Sequence, residues 1–135
     1  EDYYVANKLM KGFIGTANID TNSRLCMASS VAGHKRAFGS DTVPGCYEDL
    51  ETADLLVLVG SNAAWCHPIL YQRMVAAKAN NPACRIVVID PRRTETVESA
   101  HCKADVHLAI QPGTNVAVLT ALAHVIVTEG LAAEA

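Results

Sequence analysis

Apolar positions along the 135-residue chain change their period partway. Up to about Ala53 they recur at helical spacing. Tyr3, Val5, Leu9 and Met10 mark a first helix ending at Gly12, and Asn22 or Ser23 is placed to cap a second that runs to Phe38. Gly39 to Pro44 reads as a turn-rich loop and Tyr47 to Ala53 as a short helix. Beyond that point short continuous apolar runs alternate with longer periodic ones. LLVLVG (Leu55 to Gly60) and RIVVID (Arg85 to Asp90) are too short to prefer a helix and are apolar on both faces, as parallel strands covered by helices are. Between them His67 and Pro68 open a helix through Ile69, Tyr71, Met74 and Val75 that stops at Asn80. The 30 residues from Leu55 to Arg85 match one strand, crossover helix and parallel strand. A third strand is expected over Val106 to Ile110. A turn at Pro112 and Gly113 follows, then a helix capped by Thr114 or Asn115, running to Glu129 and stopped at Gly130. The expected class is α/β: a three-layer, mostly parallel sheet flanked by helices, preceded by a helical N-terminal part. No repeat or linker divides the chain, so residues 1–135 are expected to form a single unit, helical over 1–53 and βαβ over 54–135.

Composition sharpens this picture by exclusion. Half the residues are hydrophobic and 19% charged, the balance of a folded domain. Eleven Lys and Arg against fourteen Asp and Glu leave a net charge of -3, so no basic face is available for a nucleic acid backbone. The longest apolar stretch, Val116 to Val127, is interrupted by Thr120 and His124 and is too short to span a bilayer; it is expected to be a buried helix, with His124 a hydrogen-bonded core residue. The five cysteines are odd in number, and none lies closer than eighteen positions to the next. That spacing suits neither a disulfide framework nor a zinc ribbon and favours a reducing compartment. Opening on Glu1 rather than Met, the chain is expected to be a piece of a longer protein.

In a parallel sheet of this kind the segments after each strand emerge at one edge, where ligand crevices form. They read GSNAAWCHP (Gly60 to Pro68), DPRRTET (Asp90 to Thr96) and QPGTN (Gln111 to Asn115). Glycines permit close backbone approach. Asp90 is placed to accept from ribose hydroxyls, Arg92 and Arg93 to face phosphate, and the helix starts near Pro68 and Asn115 to offer free backbone N–H groups. The composition is that of a pocket for a phosphate-bearing nucleotide, on a sheet expected to be Rossmann-like. Neither GxGxxG nor GxxxxGK[ST] is present, however, so the phosphates must be held in another way.

Cys26 sits in NSRLCMASSVAG (Asn22 to Gly33), among small residues that let a bulky group or another helix approach. Alone it is compatible with an inert core thiol, a soft-metal ligand or a nucleophile. Cys46, Cys66, Cys84 and Cys102 read as packing residues. His67 is a candidate for fixing its own loop. Arg24 is either solvated or a point of attraction for an anion.

Taken in order, NIDTNSRLCMASSVAGHKRAFGSD (Asn18 to Asp41), CYEDLETADLLVLVGSNAAWCHP, VVIDPRRTETVESA and QPGTN resemble the molybdenum oxidoreductases of the dimethyl sulfoxide reductase type. Within that family they are most similar to bacterial nitrate reductases, particularly the assimilatory catalytic subunit. The resemblance covers nearly the whole chain. It implies a molybdenum enzyme that reduces nitrate to nitrite by oxygen-atom transfer, drawing electrons from a donor protein or reductase subunit. Its metal would be held by two molybdopterin guanine dinucleotides and one protein ligand, with an iron–sulfur cluster in the parent protein, outside this segment. Cys26 matches the metal-ligand position. Asn22, the segment with Gly60, Ser61, Asn62, Trp65 and His67, the segment Asp90, Pro91, Arg92 and Arg93, and the segment Gly113, Thr114 and Asn115 match positions that contact the dinucleotides.

Met27, directly after the ligand, occupies the position where related formate dehydrogenases usually carry a histidine suited to proton handling. A thioether cannot do that work, which favours nitrate, although Met27 is equally suited to filling a tight helix contact. A formate dehydrogenase is the alternative within the family. A non-catalytic relative, such as the iron–sulfur subunit of NADH dehydrogenase, is the alternative outside catalysis. The resemblance and the free thiols place the parent protein in the cytoplasm. Family enzymes also carry a cluster domain and further domains that complete the pocket, so this piece alone is expected to have little or no activity.

Overall fold

A computed structural model describes residues 1–133, which fall into two compact units, Glu1–Pro44 and the described residues from Gly45 onward. The first unit is helical. Helix α1 spans Asp2–Asn7 and passes directly into a π-helical stretch, Lys8–Ile14, whose end is set by Gly15 at φ 78°. Gly12 therefore does not stop the helix as expected. Helical backbone tolerates a glycine at a cost of roughly 1 kcal/mol, whereas the left-handed turn at Gly15 is one that a side chain would resist.

The helix expected from Asn22 to Phe38 is divided in two: α2 (Ser23–Cys26) and α3 (Ala28–Phe38). Met27 separates them with φ -104° and ψ 7°, in the bridge region between helix and strand. Its N–H still reaches Ser23 (2.9 Å), and its carbonyl accepts from Val31 (2.9 Å). The helical hydrogen bonds thus run on through the break. Apolar spacing cannot register a deviation of one residue that leaves the period intact.

The second unit carries α4 (Asp49–Thr52), β1 (Leu55–Val59), α5 (Ala63–Cys66), α6 (Pro68–Asn80), β2 (Arg85–Ile89), α7 (Glu95–Glu98), β3 (Val106–Leu108) and α8 (Asn115–Thr128). The strands form one parallel sheet in the order β1-β2-β3. Leu56 pairs with Ile86, Leu58 with Val88, and Val88 with His107. This register gathers Leu56, Leu58, Ile86 and Val88 on one face, where they pack with Tyr71 and Met74 of α6, Val97 of α7, and Cys84 and Cys102. The short helices α5 and α7 were not expected from the apolar pattern, since four residues cannot display a helical period.

On the opposite face of the sheet Leu55, Val57, Val59, Val106 and Leu108 are exposed, and only Ile89 at its carboxyl end is buried, so most of the apolar surface on which the expected third layer would pack lies uncovered among the described residues. Helix α8 is likewise uncovered. Val116, Leu119, Leu122 and Val127 are exposed, and so is His124, contrary to the expectation of a buried helix with a core histidine. Local sequence suffices to form this helix: Gly130 (φ 64°) donates to Val127 (3.3 Å) and Leu131 to Ile126 (2.9 Å), the paired bonds of a glycine C-terminal stop. Burial requires a partner surface, and that is a tertiary property.

Cys84 and Cys102 are core residues as expected, and burial pushes the Cys102 thiol up from its ordinary range. Cys46 and Cys66, expected to be packing residues as well, are instead exposed, one just before α4 and one in α5, with nothing covering them among the described residues. At the amino edge of the sheet, Asp105 Oδ2 accepts from Ile86 N (2.7 Å) and Lys78 Nζ (2.8 Å), joining α6, β2 and the start of β3. The Lys78 ammonium and the Ile86 amide together hold the Asp105 carboxyl below its usual value of 3.8. A lowered carboxylate stabilises the fold above the unfolded-state pKa, and that contribution disappears as pH falls through the lower folded value. Asp105→Asn is therefore expected to speed hydrogen exchange at the Ile86 amide in the complete protein. The difference from wild type should be constant between about pH 5 and 7 and should shrink below 3.8. A pH-independent difference would show that the charge of Asp105 is immaterial.

Candidate functional site

The first strand-end loop begins at Gly60, whose φ of 61° turns the chain while its N–H reaches Ile89 O (2.9 Å). An added Cβ there would meet nothing within 4 Å, so the glycine lies against open space. Ser61 and Asn62 are half-buried, and Ala63 is anchored in the core. The Asn62 carbonyl accepts from Trp65 N (3.1 Å) and Cys66 N (2.9 Å), which starts α5 and leaves the Trp65 ring 74% exposed. His67 is exposed and its ring makes no hydrogen bond among the described residues. The loop is fixed by backbone contacts instead, with His67 O accepting from Tyr71 N (2.9 Å). His67 and Pro68 also line a depression of about 390 Å³ with Tyr47, Ile69, Leu70 and Arg73.

Asp90 closes β2 and is only 6% exposed. Its N–H reaches Leu108 O (3.2 Å), and its Oδ1 accepts from Arg92 N (2.7 Å), bending the chain at Pro91. Oδ2 makes no hydrogen bond among the described residues. His107 Nε2 lies 2.9 Å from Asp90 O, so β3 braces the same turn. Pro91, Arg92 and Arg93 are exposed. The two arginines differ, because Arg93 Nε is paired with Glu98 Oε1 at 2.6 Å while Arg92 has no ion pair among the described residues. Thr94 Oγ1 is buried without a hydrogen-bond partner among them, an unsatisfied hydroxyl inside this loop.

The third loop turns at Gly113, φ 86°, again with open space where a Cβ would lie. Thr114 does not cap α8 with its side chain: its hydroxyl turns back to Gln111 O (2.7 Å). Neither α6 nor α8 has a side-chain cap, so the first-turn N–H groups of both helices lack side-chain partners, as a site for an anionic ligand requires.

The first two loops are joined directly by Asn62 and Thr96. The third adjoins them through the pairing of β3 with β2, with no hydrogen bond from Gly113, Thr114 or Asn115 to the other two among the described residues. Thr94, Thr96 and His107 are contributors that the apolar pattern does not reveal. The Thr-Glu-Thr spelling after a strand-end Asp-Pro-Arg was the available signal.

In the first unit, Cys26 is the last residue of α2 and is exposed, which removes the reading as an inert core thiol. Asn22 O accepts from Cys26 N at 3.1 Å, tying the two candidate residues through the backbone. Met27 is 47% exposed and does not fill a core gap. Arg24 is paired with Asp20 (2.7 Å). Backbone donation from Thr21 and the Arg24 guanidinium hold the Asp20 carboxyl below its usual range. No group of three or more His, Cys, Asp or Glu side chains arranged to hold a metal exists among the described residues.

Backbone donors at two helix starts, an acid with one oxygen and an arginine left without partners among the described residues, and two glycines against open space fit a phosphate-bearing group with a ribose. These features define an α/β segment whose polar groups collect at the carboxyl edge of a parallel sheet, the edge where such folds take ligands. The chain belongs to the molybdopterin oxidoreductase family, whose profile matches residues 1–135. It is 62% identical over 130 residues to a nitrate reductase of Klebsiella oxytoca, covering 96% of this chain and 14% of that protein. It is 59% identical over 123 residues to a nitrate reductase of Shewanella frigidimarina, covering 90% and 12%. A third relative is the F420-dependent formate dehydrogenase 1 subunit alpha of Methanococcus maripaludis, 41% identical over 134 residues, covering 99% and 19%. The chain thus spans less than a fifth of the length of these relatives.

Proposed function

We propose that the protein carrying this segment is a molybdenum enzyme that reduces nitrate to nitrite. The reading is carried by the identity of 62% to a nitrate reductase against 41% to a formate dehydrogenase subunit. Within it, Cys26 is the thiolate ligand of the metal. Asn22, the loop from Gly60 to His67, the loop from Asp90 to Arg93, and Gly113 to Asn115 hold two molybdopterin guanine dinucleotides in a Rossmann-like manner. When bound, that group supplies the two-electron oxygen-atom chemistry.

The chain's own residues then have distinct tasks. The Cys26 thiolate contributes electron density from an exposed position where no side chain of the described residues bonds to it. The first-turn N–H groups of α6 and α8 and the Arg92 guanidinium receive phosphate oxygens, and Asp90 Oδ2 accepts from a ribose hydroxyl. Trp65 offers an exposed flat apolar surface for a ring. Met27 moves no proton, which suits nitrate better than formate. An iron–sulfur cluster outside these residues and a separate electron donor complete the scheme. We place the reaction in nitrate assimilation in the cytoplasm, a setting that suits five free thiols. No helix among the described residues is long and apolar enough to cross a membrane.

The test is an assay of the complete protein with a reduced viologen dye. Nitrite should form from nitrate, and formate should not reduce the oxidised dye. Formate-dependent dye reduction without nitrate turnover would select the formate dehydrogenase reading, and a purified protein without molybdenum would select the non-catalytic one.

A further inference from the structure

Thr96 is 1% exposed, yet its hydroxyl serves two partners 32 and 34 positions earlier in the chain. Oγ1 accepts from Ala64 N at 3.0 Å and donates to Asn62 Oδ1 at 2.8 Å. The two bonds are complementary. The hydroxyl has one proton to place, and Asn62 Oδ1 is its only acceptor among the described residues; with Nδ2 turned inward instead, that proton would be buried without a partner, and this sets which end of the Asn62 amide faces inward. Asn62 Nδ2 is left without a partner among the described residues.

Thr96 stands in α7, which follows β2, whereas Asn62 and Ala64 belong to the loop after β1. One buried hydroxyl therefore couples two of the three strand-end loops. From this geometry we propose that Thr96 is a positioning residue: it locks the Asn62 carboxamide so that Nδ2 is presented as a hydrogen-bond donor to an acceptor atom of the bound dinucleotide. This rests on the reading of the Gly60 to His67 loop as a cofactor loop. A carboxamide free to turn would present oxygen as often as nitrogen, and an oxygen facing a phosphate or carbonyl acceptor repels it. The buried Thr96 hydroxyl removes that ambiguity before the ligand arrives.

The experiment uses the complete protein carrying Thr96→Val, Thr96→Ser, Asn62→Ala, Asn62→Asp and the Val/Ala pair. Two quantities are read: guanine nucleotide retained after purification, and hydrogen exchange at the Ala64 amide. Thr96→Val, nearly isosteric, should accelerate Ala64 exchange and lower nucleotide retention about 10-fold, the size expected for loss of a group that orients a ligand-binding side chain. Thr96→Ser should restore both. In the Asn62→Ala background Thr96→Val should cause no further loss of nucleotide, since a residue that acts through Asn62 has nothing left to position. Asn62→Asp keeps the acceptor for Thr96 but removes the outward donor; it should lower retention while leaving Ala64 exchange unchanged, and this comparison stands even if Thr96→Val fails to accumulate. Full retention in Asn62→Ala would overturn the cofactor-loop reading, and the proposal with it. Loss in Asn62→Ala together with full retention in Thr96→Val, equal loss in Thr96→Ser, or additive losses in the pair would overturn the positioning role alone.

Discussion

Cys26→Ala in the complete protein is expected to reduce nitrite formation by more than about 100-fold while leaving the melting temperature unchanged. Removing a residue that merely orients a metal ligand costs about 10–100-fold, and loss of the ligand itself should exceed that. The structural cost is small for a specific reason. The Cys26 side chain is exposed at the end of α2 and makes no side-chain hydrogen bond among the described residues, so its removal opens no cavity and strands no protein group among them. Loss of turnover with an intact fold would thus report chemistry. Nitrite forming at the wild-type rate would end the assignment of Cys26 as metal ligand.

The second large effect is expected at Asp90, where structure and recognition share one carboxylate. In Asp90→Ala the Arg92 N–H loses its 2.7 Å acceptor in a nearly buried turn. The cost should be about 1–3 kcal/mol, together with loss of the bound nucleotide as the chain from Pro91 to Arg93 relaxes. Asp90→Asn separates the two roles. Its carboxamide oxygen still accepts from Arg92 N, so stability should stay near wild type, while the second position becomes a donor and no longer accepts from a ribose hydroxyl. Reduced guanine nucleotide content with unchanged melting is the expected result. Equal content in the asparagine variant and wild type would confine Asp90 to shaping the loop.

Much of the arrangement was legible residue by residue. Leu55–Val59 and Arg85–Ile89 pair in parallel as their β-favouring runs and 30-residue spacing imply, and Pro68 begins α6 where a proline is tolerated. The loops after Gly60 and Asp90 meet at one edge, because parallel strands leave their sheet on the same side. The third strand is shorter than Val106 to Ile110 because pairing with β2 ends at Leu108, a limit set by the partner strand. Arg92 and Arg93 looked equivalent in sequence. Only the placement of Glu98 one helical turn away separates them, leaving Arg92 as the cation without an ion pair among the described residues.

Periods, caps and turn residues are local, and they alone determined that this chain alternates helix and parallel strand, that its polar loops follow the strands, and that α8 stops at Gly130. Tertiary structure decided what those elements meet: that α8 and one sheet face lie uncovered among the described residues, that Cys26 is exposed at a break in its helix, and that Thr96 bonds Asn62. The reason is physical. An apolar period records that a surface is fit for burial, and a hydroxyl records that it can donate and accept, but the partner of either is chosen by residues far away in the chain.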